Sequence, residues 1–142
     1  MVRVEPLEKS ISEYLSDFGH KVGDVSPATG SSDMGNVSYR CPAIQPLLSI
    51  TDDNLALHTT AFRDATLKPQ AHESIACGAA SMTALALKIL NDADYRSNVH
   101  HSWETSLKKK KIYKSGGICY DKKTSTERKN LNCLIYLYFC VL

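Results

Sequence analysis

Residues 69 to 90 constrain the fold more than any other stretch. Pro69 suits the opening turn of a helix, where a fixed φ and a missing N–H cost nothing. No further proline follows for the rest of the chain. Ile75, Met82, Leu85 and Ile89, with the small Cys77, Gly78, Ala79 and Ala86, form an apolar face with positions for close approach. This predicts a helix over 69–90, ended by Asn91. Asp92 is placed to cap a following helix, in which Tyr95, Val99 and Trp103 recur every four residues. Upstream, Pro6 opens another helix. Leu7, Ile11, Leu15 and Phe18 fall on one face, and Gly19 or Gly23 ends it.

The region between these helices reads as loops around a strand. Val22 to Val25 suggests a short extended piece, and residues 26–30 a turn. Asp33 is placed to cap a short helix over Val37 to Arg40, stopped by Pro42. Ala43 to Ile50 reads as a strand, with Pro46 pointing to an edge or a bulge. A polar loop over Thr51 to Leu57 leads to His58 and a single turn of helix.

Charge divides the 142 residues sharply. Residues 1–106 carry 8 Lys/Arg against 13 Asp/Glu, and residues 107–142 carry 9 against 2, which together give the net +2. Two units are therefore expected: a domain over 1–106 and a basic tail over 107–142, with 107–130 as a flexible linker. Lys108 to Lys111, with Tyr113 and Tyr120, offers contacts to phosphates and bases, but no recognition motif accompanies it, so no specific nucleic-acid partner is expected. The apolar end, LNCLIYLYFCVL, has 12 residues and is too short to span a bilayer. No secretory leader is read at MVRVEPLEKSIS, and no transmembrane segment is expected. The five cysteines form no CxxC and no zinc-finger spacing, which suits reduced thiols and a cytoplasmic location.

The chemistry-bearing residues gather in two loops. Gly30, Ser31, Ser32, Asp33, Gly35, Asn36 and Ser38 precede the strand, and His58 follows it. Rigid strands commonly present such loops at binding sites. Plain alternatives stand beside this. Asp33 serves equally as a helix cap, the serines and Asn36 as loop hydrogen-bond partners, Gly30 and Gly35 as backbone-shaping residues, and His58 as a surface histidine. The His100–His101 pair points apart on a helix and does not chelate.

The segments GSSDMGNVS (30–38), PAIQP (42–46), HTTAF (58–62) and HESIACGAASMTALALKIL (72–90), in this order, resemble the metal-dependent aminoacylase/carboxypeptidase family. The closest branch holds amidohydrolases and Xaa-Arg-type dipeptidases. The likeness covers roughly residues 5–106 and is absent from the tail. Gln45 replaces the family's usual histidine, and Thr60 a common proline. The resemblance implies an α/β fold: part of a three-layer zinc-peptidase-type catalytic domain, with long helices packed on a small sheet and a poorly ordered basic tail. It implies zinc or manganese in the complete enzyme, with His58 as one metal ligand and the 30–38 loop shaping the substrate site. Substrates would be small peptides or N-acyl amino acids, and oligomers are possible. The family's HxD motif and Glu-Glu pair do not occur in this sequence, so the general base is missing and no activity or bound metal is expected of the chain alone. The competing reading is a non-catalytic interaction protein derived from such an enzyme.

Overall fold

The computed structural model describes residues 1–23, 32–53 and 55–113, together with the backbone of 136–137 and 140–141. Its elements are α1 (Glu5–Asp17), α2 (Met34–Val37), β1 (Ala43–Ile44), β2 (Leu47–Leu48), α3 (Thr60–Ala65), α4 (Pro69–Asn91), α5 (Ala93–Tyr113), β3 (Tyr136–Leu137) and β4 (Cys140–Val141). The three long helices pack on one another.

Each long helix has a chemical reason for its limits. Pro6 lies in the first turn of α1, and Leu7, Ile11 and Leu15 are its buried apolar residues. Gly19, at φ 82°, ends it. The Gly19 N–H donates to the Ser16 carbonyl at 2.8 Å and the His20 N–H to the Leu15 carbonyl at 3.1 Å, the paired closure of a Schellman turn. Phe18, expected on the apolar face, lies past the helix end and is exposed. Asp92 Oδ1 accepts the Tyr95 N–H at 2.8 Å and so caps α5. Arg96 reaches back to the Ile89 carbonyl at 2.7 Å, satisfying an acceptor at the end of α4.

The buried face of α4 differs from the expected one. Ala71, Ser74, Gly78, Ser81, Leu85 and Ile89 are buried, whereas Ile75 and Ala79 are exposed. Small side chains over the first half of this face, rather than bulky ones, let the neighbouring chain approach. Ser74 Oγ donates to the Ser49 carbonyl at 2.8 Å. By length and composition alone α4 could cross a membrane; here Leu85 and Ile89 lie in a core shared with α1 and α5.

That core joins Leu7, Ile11 and Leu15 of α1, Ile44 and Leu48, Leu85 and Ile89 of α4, and Val99, Trp103 and Leu107 of α5. Val2 and Val4 are buried with them. Ile50, Ala65 and Ala71 make a smaller second cluster beneath Phe62.

The expected α/β three-layer domain is not what forms. The described chain is mostly helical. A three-layer fold needs a central sheet, and the one extended run over 43–50 is cut by Pro46, which has no N–H to give a ladder. Two residues survive on either side of the cut. Each pair runs parallel to a piece of the tail, Ala43 and Ile44 beside Tyr136 and Leu137, Leu47 and Leu48 beside Cys140 and Val141. The tail's apolar end is thus part of the fold's backbone pairing. The expected linker over 107–130 also begins differently: α5 runs unbroken from Ala93 to Tyr113, and Leu107 belongs to the main core. Residues 114–130 lie outside the described residues.

Candidate functional site

The 30–38 loop and His58 were the expected site. Gly30 and Ser31 lie outside the described residues. Ser32, Asp33 and Asn36 are exposed at the start of α2, which begins three residues earlier than expected. Asp33 occupies the N-cap position, but its backbone is already helical (φ −63°, ψ −15°) and its carboxylate makes no capping bond. Ser32 Oγ instead accepts the Met34 N–H at 3.2 Å. Gly35 has open space where a Cβ would stand and no left-handed φ, so no steric demand for glycine is visible there.

Ser38 is fully buried and committed to packing. Its Oγ accepts the Val2 N–H at 2.9 Å and donates to the Gly35 carbonyl at 2.7 Å. Its own carbonyl accepts the Trp103 indole N–H at 2.7 Å. A buried hydroxyl that already donates and accepts within the core is not offered to a ligand.

His58 is exposed, with φ 63°. A left-handed backbone is uncommon outside glycine, and histidine is among the residues that tolerate it better. The next residue caps α3: Thr59 Oγ1 accepts the Phe62 N–H at 3.2 Å and donates to the Ala56 carbonyl at 2.8 Å. The imidazole therefore projects from a turn fixed on its C-terminal side. Zinc requires three or four converging donors. Among the described residues, no three His, Cys, Asp or Glu side chains gather, so these residues alone do not fit a metal ion.

A different constellation lies between α1, α4 and α5. Lys88 of α4 donates from Nζ to Ser10 Oγ of α1 at 3.1 Å. The same ammonium sits 4.4 Å from the centre of the Tyr95 ring of α5, a cation–π contact. The Tyr95 hydroxyl lies 2.9 Å from the Pro6 carbonyl and 3.0 Å from Ser10 Oγ. One phenolic proton serves one acceptor at a time. When it goes to Pro6, the Ser10 hydroxyl donates to Tyr95 and accepts from Lys88, which gives each of the three groups a partner. Above this cluster is a groove of about 490 Å³, lined also by Glu5, Lys9 and Glu13. Nothing in the periodicity marked Ser10, although a serine between the buried Leu7 and Ile11 was the available signal.

Burial in this cluster raises the Tyr95 pKa above its ordinary 10.0, opposed by the Ser10 hydrogen bond and reinforced by Tyr14, Glu13 and Asp92. A folded-state value above the unfolded one means that the contribution is complete below about pH 10 and is lost as pH rises through the folded value. Alkaline titration of stability should therefore fall more steeply for the native chain than for Tyr95→Phe. Parallel curves from chemical denaturation above pH 10 would show that Tyr95 is not the group responsible.

Comparison of the chain with known protein families, with curated proteins and with solved structures finds no match.

Proposed function

We propose that this chain carries a metal-ligand segment of a metal-dependent amidohydrolase or dipeptidase and does not hydrolyse its substrates alone. The observation that carries the reading is the setting of His58: an exposed residue on a left-handed turn, one position before the N-cap of a helix, inside the HTTAF segment. A terminal ligand has to be held out in this way, free to meet donors brought by other parts of a site. In such an enzyme a metal ion supplies Lewis acidity and an activated water. The role of this chain is narrower. His58 would lend a neutral nitrogen, and the exposed Ser32, Asp33 and Asn36 would offer polar contacts to a substrate. Ser38 would hold that loop in shape.

The purified chain, supplied with zinc or manganese, is expected to show no turnover of dipeptides or N-acyl amino acids above buffer. Metal-dependent turnover abolished by His58→Ala would overturn the proposal. Its positive half is tested in a complete family enzyme carrying residues 30–62 in place of its own segment. There His58→Ala should release up to one metal ion per subunit and lower activity by more than about a hundredfold, since even indirect supports of metal ligands are worth 10–100-fold. Full metal content and activity in that variant would reduce HTTAF to a turn.

A further inference from the structure

We infer that the groove between α1, α4 and α5 binds a small zwitterion, a molecule with one ammonium and one carboxylate several bonds apart. Four charged side chains line it, Glu5, Lys9 and Glu13 from α1 and Lys88 from α4. None of the four makes an ion pair with another described residue, although Arg3–Glu8 and Arg63–Asp64 pair at 2.8 and 2.7 Å elsewhere on the surface. Two charges of each sign give the groove no net charge. A simple anion would meet two carboxylates and a simple cation two ammoniums, so neither is favoured overall. A ligand carrying both signs complements the lining.

Lys88 is the fixed point of this arrangement. Its ammonium is half-buried, held by Ser10 and the Tyr95 ring, and spends one of three donors on Ser10. The remaining N–H groups are available to a carboxylate. Glu13 and Glu5 stand three and five residues from Ser10, where Lys88 is anchored, so their backbone positions are offset from it by roughly 4.5 and 7.5 Å along the helix axis, in opposite directions. A flexible ω-amino acid with about five methylenes reaches across separations of this order. The groove volume is within the range of small-ligand sites.

The test uses three probes of one chain length: 6-aminohexanoate, hexanoate and hexylamine. Amide and side-chain NMR shifts of Ser10, Lys88 and Tyr95 report binding. Saturable shifts at millimolar 6-aminohexanoate are expected, with hexanoate and hexylamine each at least about tenfold weaker. Lys88→Met should erase the preference for 6-aminohexanoate over hexylamine. If Lys88→Met does not fold, the exposed Glu13→Gln should weaken 6-aminohexanoate while leaving hexanoate unchanged or tighter. No saturable shift with 6-aminohexanoate would overturn the site. Equal binding of either singly charged probe, or native preference in folded Lys88→Met, would overturn the zwitterion assignment.

Discussion

Trp103→Ala is expected to destabilise the protein by about 3–5 kcal/mol, the usual cost of emptying a large aromatic site in a core. Trp103 is buried among residues from α1, α4 and α5, and its indole N–H is bonded to the Ser38 carbonyl. Two losses therefore coincide: a cavity in the main cluster and an unpaired buried acceptor. Trp103→Phe separates them. It keeps much of the ring volume and leaves the carbonyl without its donor, at about 1–3 kcal/mol. Urea unfolding followed by circular dichroism measures both variants. A Trp103→Ala variant within 1 kcal/mol of native, on the scale of an ordinary surface change, would mean that α5 does not share the core.

Leu107→Ala is expected to cost about 2–5 kcal/mol for a similar reason. Leu107 is buried in the main cluster, one turn beyond Trp103 on α5. Deleting residues 107–142 should cost at least as much, because it also removes the backbone segments that run beside β1 and β2. This is the opposite of what the charge asymmetry suggests, where the tail is dispensable. Unfolding transitions of the two altered chains decide between these pictures. An unchanged midpoint in both would restore 1–106 as the folding unit.

The helices were legible in the sequence because their signals are local. Pro6 and Pro69 mark starts, Gly19 a stop and Asp92 a cap, and each depends on a few neighbouring backbone groups. The faces were less legible. Ile75 has the chemistry of a core residue, yet it is exposed while Ser74 is buried, since packing rewards close approach at that point of α4 more than side-chain size. The strand was overread: the run over 43–50 is largely apolar, but a ladder needs donors, and Pro46 has none. Lys108 to Lys111 hid the continuation of α5, because lysine is a good helix former and breaks only the apolar pattern.

The candidate sites show the same divide. Loop composition identified Ser32, Asp33 and Asn36 as exposed polar groups but gave no sign that Ser38 points inward. The Ser10–Lys88–Tyr95 cluster joins residues 78 and 85 positions apart, and no motif of adjacent residues records such a meeting.

Ser38 closes two large chain loops at once, one of 36 residues to Val2 and one of 65 residues to Trp103. Closing a loop costs entropy that rises only slowly with its length, and the second closure at an already ordered residue costs less than the first. The junction is for this reason cooperative. A fluctuation that frees the Val2 amide should also loosen the carbonyl side held by Trp103. Amides ahead of a first helical turn usually exchange their hydrogens by local fraying. Val2 is expected instead to share its protection with the middle of α5, so exchange of its amide would report on the integrity of the core.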